Sequence, residues 1–235
     1  DKIGDFRYIS QLNGEAMYVL GGLVSGRAIG VLADPNIKWE QSEQFDVGFD
    51  MKLLDDKVDI TADYYHKRTD DLLLSPQVSG ILGVTAPGGA APIVNAGSVE
   101  NQGFEFSIGY RNRVSEDFSY NFNYNFTTLD NNVLFVGNST GVLEGGSFGV
   151  GQEPPSRMEA GFPIGYFYGY KTNGLFQTQS DVNSHAAQTN AAPGDLRFVD
   201  VNGDGVIDSD DRTYIGDPIP DITMGMNFSF NYKNF

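Results

Sequence analysis

Residues 118–127 read FSYNFNYNFT, and they carry the clearest structural pattern in the chain. Aromatic residues occupy every second position from Phe118 to Phe126, and serine or asparagine stands at each position between them. Successive side chains of a β-strand point to opposite faces, so this alternation predicts a strand with one apolar face and one polar face. An α-helix would need an apolar period near 3.6 residues, and no segment of the chain shows one convincingly.

The same two-residue period recurs in four other segments, at residues 44–53, 58–65, 104–110 and 224–232. Their apolar positions are, in chain order, Phe45, Val47, Phe49, Met51 and Leu53; Val58, Ile60, Ala62 and Tyr64; Phe104, Phe106, Ile108 and Tyr110; and Met224, Met226, Phe228, Phe230 and Tyr232. Short turns separate two pairs of these runs, which is typical of antiparallel neighbours. The chain is therefore predicted to be all-β with antiparallel strands.

Composition narrows the classes of function. The 235 residues carry a formal net charge of −16, which repels phosphates and disfavours binding to nucleic acid. There is no cysteine, which excludes a disulfide framework and a cysteine nucleophile, and two histidines leave little material for a catalytic triad. We find no constellation typical of an enzyme, and a glycan hydrolase would need a carboxylate pair that the sequence does not reveal.

Two architectures compete for such strands. In a soluble sandwich the apolar faces form a core, whereas in an outer-membrane barrel they meet lipid and the polar faces line the lumen. The apolar faces are rich in aromatic residues, which suits the aromatic girdles of a barrel. Five outward residues span roughly 27 Å along a strand, or about 20 Å of bilayer at a ~40° tilt. Both features favour the barrel.

The connections between the strands also favour the barrel, because they are short at one end of the strands and long at the other. Short turns are expected near residues 54–57 and 112–117, and long loops at about 75–99 and 129–221. Outer-membrane barrels have short periplasmic turns and long extracellular loops. The whole chain, 1–235, is therefore predicted to be a segment of one large transmembrane β-barrel domain, with residues 232–235 on the periplasmic side.

Several blocks of residues resemble the SusC/RagA-type TonB-dependent transporters, in the order in which that family has them. They cover most of the chain from Asp34 onward. The blocks are PNIKWE at 35–40, QFDVGFD at 44–50, DYYHKRTDDLL at 63–73, NAGSVENQGFE at 95–105, GFPIGYFYGY at 161–170, the segment 193–221 that begins PGD and ends IGDPIPD, and YKNF at 232–235.

The resemblance implies a 22-stranded barrel with an N-terminal plug, in the outer membrane of a Gram-negative bacterium. It implies import of glycans or peptides, energised through TonB, with a SusD-like surface lipoprotein as the partner that covers the barrel. The chain has no plug, no TonB box and no room for so many strands, so a C-terminal-region fragment without the final strands is expected. The alternative is a soluble or surface-attached calcium-binding β module, such as an adhesin or a dockerin-like domain.

Residues 200–211 read DVNGDGVIDSDD and match the twelve-residue oxygen-ligand loop of calcium sites. Gly205, at position 6, permits the sharp turn of such a loop. The ligands at positions 1, 3, 5, 7, 9 and 12 would be Asp200, Asn202, Asp204, the carbonyl of Val206, Asp208 and Asp211, which replaces the usual Glu. A metal-free turn is the other interpretation, since Asp, Asn and Gly favour turns. The match favours bound Ca²⁺ in a structural role.

Tyr166, Tyr168 and Tyr170 alternate within the block at 161–170 and would share one face of a strand. Such a row could stack on sugar rings and bind a ligand. Packing inside an extracellular hairpin is the favoured interpretation, because large aromatic side chains dominate protein cores.

Overall fold

The structure, a computed structural model, describes residues 8–14, 17–75, 92–146, 148–149 and 151–233. No helix within these ranges is long and apolar enough to span a membrane. In chain order the elements are β1 (Gln11–Asn13), β2 (Met17–Val19), β3 (Leu23–Ser25), β4 (Ala28–Val31), β5 (Gln41–Leu53), β6 (Val58–Asp70), β7 (Leu73–Leu74), β8 (Val94–Asn95), β9 (Gly97–Arg113), β10 (Phe118–Thr128), β11 (Asp130–Val136), β12 (Val142–Glu144), β13 (Ser156–Glu159), β14 (Tyr166–Tyr170), β15 (Thr172–Leu175), α1 (Gln179–Ser184), β16 (Leu196–Phe198), a 3-10 turn (Ser209–Asp211), β17 (Arg212–Gly216) and β18 (Ile222–Tyr232).

One antiparallel sheet, with the strand order β18-β10-β9-β6-β5, dominates the chain. Strand β11 continues the line of β10, because β9 pairs with β11 near its start and with β10 near its end. The two strands meet at Leu129, whose N–H donates to the carbonyl of Asp221 at 2.9 Å. The prediction of an all-β chain with antiparallel strands is confirmed. The sheet is open, with β5 and β18 at its edges.

The register carries both faces across all five strands, because residues directly opposite each other share a face. One transverse row on the apolar face consists of Phe49, Ala62, Phe106, Phe126 and Met224. The adjacent row on the polar face consists of Asp50, Thr61, Ser107, Asn125 and Gly225. The sheet is thus a single layer with one apolar face and one polar face, and we call it the wall.

The apolar side of this wall is not a sandwich core. Phe228 and Phe230 are 62% and 61% exposed, and Phe106 and Phe122 are only partly buried by neighbours in the sheet. The buried core cluster of the described residues lies instead at the end of the sheet remote from the short turns, and it consists of Val99, Val133, Val136 and Met158. A wall with this exposure suits contact with hydrocarbon.

The short turns lie together at one end of the wall. They connect β5 to β6 at residues 54–57 and β9 to β10 at 114–117. Strand β18 ends beside them, because Phe118 pairs with Tyr232 and the N–H of Lys233 donates to the carbonyl of Asp117 at 2.8 Å. We call the opposite end of the wall the loop end.

The loop end is more structured than the sequence predicts. The expected loop at 129–221 contains β11, a separate antiparallel sheet of order β12-β13-β14-β17, and the pair β15–β16. The expected loop at 75–99 contains β8 and the start of β9, and its residues 76–91 lie outside the described ranges. Most of these strands have two to five residues, which is too short for a two-residue period to stand out.

Candidate functional site at the loop end

The calcium-type loop, residues 200–211, connects β16 to β17 at the loop end. A parallel bridge between Ala187 and Val206 ties the loop to the segment after α1. The N–H of Ala187 donates to the carbonyl of Gly205 at 2.8 Å, and the N–H of Ile207 donates to the carbonyl of Ala187 at 3.0 Å. The loop is therefore anchored to a second chain segment in addition to its flanking strands.

Asp200 organises the first half of the loop. One of its carboxylate oxygens accepts the N–H of Gly203 at 2.6 Å, and the other accepts the N–H of Gly205 at 2.9 Å. These glycines have φ angles of +77° and +86°, a left-handed conformation that only glycine adopts without strain. The chain thus winds around the carboxylate of Asp200, the residue at position 1 of the calcium-type loop.

Asp211 closes the loop and is completely buried. Its carboxylate accepts the N–H of Val201 at 2.7 Å and the N–H of Asp208 at 3.0 Å. The hydrogen bond from Asp208, together with those from the start of the loop, holds the pKa of Asp211 below its ordinary value, although burial acts to raise it. Position 12 therefore carries a buried, ionised carboxylate.

The other candidate ligands also accept hydrogen bonds from the loop. Asn202 accepts the N–H of Asp204 at 2.9 Å, Asp204 accepts the N–H of Val206 at 2.8 Å, and Asp208 caps the 3-10 turn. Within the described ranges no group of three or more His, Cys, Asp or Glu side chains is placed to hold a metal. Carboxylate oxygens keep a second lone pair, so the donor set still suits Ca²⁺ in kind. Calcium binding stays a prediction.

Tyr166 lies in the core of the β12-β13-β14-β17 sheet and is 1% exposed. Its ring stacks on Phe162, with 4.7 Å between centroids, and its hydroxyl donates to Glu159 at 2.6 Å. Burial, followed by the hydrogen bond to the carboxylate of Glu159, raises the pKa of Tyr166 well above its ordinary value. A side chain held in this way offers no surface to a ligand, and its role is packing.

Tyr168 and Tyr170 are also packed, but less completely. The guanidinium carbon of Arg157 lies 3.5 Å from the centroid of the Tyr168 ring, and that of Arg212 lies 4.9 Å from it, both within cation–π range. Tyr170 lies against Phe198, with 5.0 Å between centroids. Both tyrosines line an open cleft of about 560 Å³, so ligand contact by these two stays a prediction. Nothing in the sequence signals the two arginines, because each stands isolated and far from Tyr168.

The single-layer wall with opposite faces, short turns at one end and a folded loop end defines a class of protein, the outer-membrane β-barrels. Residues 6–234 match the model of the TonB dependent receptor-like β-barrel family, and the chain belongs to that family. It is accordingly part of a Gram-negative outer-membrane protein, in a family of receptors and transporters rather than enzymes.

Relatives agree with this assignment. TonB-dependent receptor P3 of Formosa agariphila is 35% identical over 224 residues, which is 90% of this chain and 21% of the relative. TonB-dependent receptor SusC of Bacteroides thetaiotaomicron is 30% identical over 234 residues, which is 98% of this chain and 22% of SusC. The chain therefore spans about a fifth of the length of the curated relatives it matches.

Solved structures of the RagAB peptide transporter show the same fold. One superposes with a TM-score of 0.71 at 18% sequence identity, over 99% of this chain and 24% of that chain. Another, in its "open-open" state, gives a TM-score of 0.69 at 19% identity, over 98% of this chain and 23% of that chain.

Proposed function

We propose that this chain forms part of the barrel wall and the loop end of an energy-coupled importer of nutrients across the outer membrane. The observation that carries the proposal is the register of the five-stranded wall, which keeps one face apolar and the other polar from β5 to β18. Such a wall separates lipid from a hydrophilic lumen through which solutes pass. The family membership supports the same role.

The proposal includes a SusD-like surface lipoprotein as partner, TonB acting through another part of the full-length protein, and a glycan or a peptide as ligand. Its support is the similarity to SusC and to the RagAB peptide transporter. The folded loop end supports it too, because a structured surface can hold a partner in one geometry more readily than unstructured loops can. The exposure of Phe228 and Phe230 argues against the soluble-module alternative, because in a soluble module the apolar faces of the strands would be buried between layers.

Structural Ca²⁺ at residues 200–211 is the second part of the proposal. The ligands would be Asp200, Asn202, Asp204, the carbonyl of Val206, Asp208 and Asp211. The support is the wrapping of the chain around Asp200 and the buried, ionised state of Asp211. A cation here would neutralise carboxylates that otherwise repel each other and would stabilise the anchoring to the segment after α1.

The wall can be tested with two neighbouring positions of β18. In the full-length protein in liposomes, a spin label at Phe228→Cys should be accessible to oxygen dissolved in lipid, and one at Asn227→Cys to a water-soluble nickel relaxer. Labels with the same accessibility at both positions would contradict the assignment of one face to lipid and the other to the lumen.

Import itself is tested by deleting the gene and growing the strain on single glycans or peptides. Growth on at least one should fail, and only a copy with an intact TonB interaction should restore it.

The metal can be tested by calorimetric titration of the full-length protein with Ca²⁺. The wild type should show a heat of Ca²⁺ binding that saturates at one ion per protein. Asp200→Ala and Asp204→Ala should abolish this heat, since each substitution removes a carboxylate ligand. Equal and negligible heat in all three proteins would contradict Ca²⁺ binding at residues 200–211.

A further inference from the structure

The apolar face of the wall ends at one level on β6, β9, β10 and β18. Tyr64 lies opposite Phe104, and Thr128 lies opposite Ile222. The N–H of Phe104 donates to the hydroxyl of Thr128 at 2.9 Å, so these four residues form one transverse row, which we call the boundary row. The next positions on the same face, toward the loop end, are polar: His66, Gln102 and Asp130.

The length of the apolar face identifies what this boundary separates. On β18 the positions of this face run from Tyr232, beside the short turns, to Ile222 in the boundary row. At about 3.4 Å per residue the span is roughly 34 Å, or about 26 Å across the bilayer at a ~40° tilt. The apolar band of outer-membrane barrels is about 25 Å tall. The boundary row therefore lies where the acyl chains of the outer leaflet give way to the headgroups.

A pocket of about 690 Å³ opens at the boundary row. All four residues of the row line it, and Gln102, Asp130 and Asp221 line its side toward the loop end. A cavity at the loop end, lined by Asn138 and Arg157, is separate from it, because the two share no lining residue. The volume of the boundary pocket is in the usual range for sites that bind small molecules.

The lining of the boundary pocket is apolar at one end and acidic at the other. Phe104 and Ile222 are 40% and 54% exposed, so the apolar end is accessible. The acidic end has the exposed carboxylates of Asp130 and Asp221. No cationic side chain lines the described pocket, and neither carboxylate forms an ion pair with another described residue. The pocket therefore suits an amphiphile with an apolar chain and a cationic headgroup.

Both acidic residues are held beside the apolar lining by hydrogen bonds. The hydroxyl of Tyr64 donates to Oε1 of Gln102 at 3.3 Å, and Nε2 of Gln102 donates to Oδ2 of Asp130 at 2.9 Å. The N–H of Leu129 donates to the carbonyl of Asp221 at 2.9 Å, which fixes the start of β18 against the end of β10. The acidic end of the pocket is thus part of the wall and not of a free loop.

We propose that the boundary pocket binds a lipid of the outer leaflet whose headgroup carries a primary ammonium group. The acyl chain lies against Phe104 and Ile222, and the ammonium donates to Asp130 and Asp221. A glycerol or sugar headgroup would leave the carboxylates without a counter-charge, and an anionic headgroup would be repelled. The site rests on the lipid-facing side of the wall in the proposed function and goes beyond import, because lipid binding needs no transport.

The test is native mass spectrometry of the full-length protein, released from nanodiscs that contain palmitoyl-oleoyl phosphatidylethanolamine and phosphatidylglycerol in equal amounts. The wild type should retain the ethanolamine lipid about threefold to tenfold more than the glycerol lipid, because two exposed ion pairs act together. The double variant with Asp130→Asn and Asp221→Asn should lose this preference. A wild type without the preference, or a double variant that keeps it, would overturn the site.

The matched control is the double variant with Asp46→Asn and Asp63→Asn. It removes the same two charges from the opposite face of the wall, where Asp46 lies opposite Tyr65 and Asp63 lies opposite Glu105. It should keep the preference of the wild type. An equal loss of preference in both double variants would assign the effect to net charge and would overturn the pocket.

A photoactivatable lipid locates the site. An ethanolamine lipid with a diazirine on its acyl chain, near the glycerol, should label Phe104 or Ile222 in the wild type. Equal labelling of Phe106 and Phe228 would indicate ordinary bilayer lipid and would overturn the site. Glycerophosphoethanolamine, which lacks acyl chains, should not displace the lipid, and displacement at equal concentration would replace the lipid by a free amine. The spin labels on β18 test the wall separately, so a lipid-facing wall without the ethanolamine preference would remove only the pocket.

Discussion

The carboxylate of Asp211 stabilises the calcium-type loop, and its contribution depends on its ionisation. Asp211 is buried and its pKa is held below the ordinary value, first of all by the hydrogen bond from the N–H of Asp208. A group whose pKa is depressed by folding adds stability above its unfolded pKa, and this stability is lost as the pH falls through the folded pKa. The contribution of Asp211 to the stability of the loop is therefore lost only as the pH falls into the acid range.

The first prediction concerns this loop at low pH. With calcium removed, pepsin cleavage within residues 200–211 should be slow at about pH 4 and should accelerate as the pH falls further, because Asp211 then becomes protonated. Each rate is divided by the rate at which pepsin cleaves an unfolded substrate at the same pH, because the activity of pepsin itself changes in this range. Asp211→Asn, which cannot ionise, should be cleaved at a rate that changes much less between those conditions. The same acceleration in wild type and Asp211→Asn would assign the pH dependence to other groups.

Glycine on the polar face of the wall allows close approach of neighbouring strands. A methyl group added at Gly103 would collide with the backbone oxygen of Thr128 and with the ring of Tyr65. The backbone oxygen cannot move aside as a flexible side chain can. At Gly146, which has no positive φ, a methyl group would meet nothing within 4 Å.

The second prediction compares these two glycines. Gly103→Ala should lower the free energy of unfolding of the full-length protein in detergent by about 1–3 kcal/mol, which is typical of overpacking. Gly146→Ala should change it by less than about 0.5 kcal/mol. Urea titration followed by tryptophan fluorescence measures both, and equal effects would show that the approach at Gly103 is not tight.

The loop end is held together by contacts between strands that lie far apart in the chain. Strand β14 pairs with β13 on one side and with β17 on the other. The ring of Tyr166, in β14, stacks on the ring of Phe162, and its centroid lies 5.7 Å from the ring centroid of Tyr214, in β17. The three rings form the centre of this small sheet, so its stability should depend on the ring of Tyr166 more than on its hydroxyl.

The third prediction separates the ring from the hydroxyl. Tyr166→Phe should destabilise by about 1.5–3 kcal/mol, because it removes one hydrogen bond to the carboxylate of Glu159. Tyr166→Ala should cost about 3–5 kcal/mol, because it leaves a cavity among the rings. Limited trypsin digestion at Arg157 and Arg212 reports local opening of this sheet. A larger effect of Tyr166→Phe would contradict the packing role.

The five-stranded wall is open at both edges. Strands β5 and β18 have one free edge each among the described residues, and the apolar face of β18 is exposed at Met226 and Phe228, at 74% and 62%. Free edges and large apolar patches both promote association in water. In the intact barrel, further strands would pair with the edges and lipid would cover the apolar face.

The fourth prediction follows from this exposure. The 235-residue chain expressed alone should form aggregates in water and should stay dispersed only in detergent, as size-exclusion chromatography would show. A matched variant with Met226→Lys and Phe228→Lys should aggregate less, because it places charges on the apolar face. A soluble monomer of the unmodified chain would contradict the lipid-facing assignment and would favour the calcium-binding module.

The long strands, their two faces, their antiparallel pairing and the family could be predicted from the sequence. The period of side chains along a strand is local, so it can be recognised without knowledge of tertiary contacts. The sequence also singled out residues 200–211, where twelve consecutive residues carry the whole pattern. Three features could not be predicted without the fold: the small sheets within the segment 129–221, the burial of Tyr166, and the shared cavity lined by Asn138 and Arg157. Those features depend on contacts between residues distant in the chain, and no local period records such contacts.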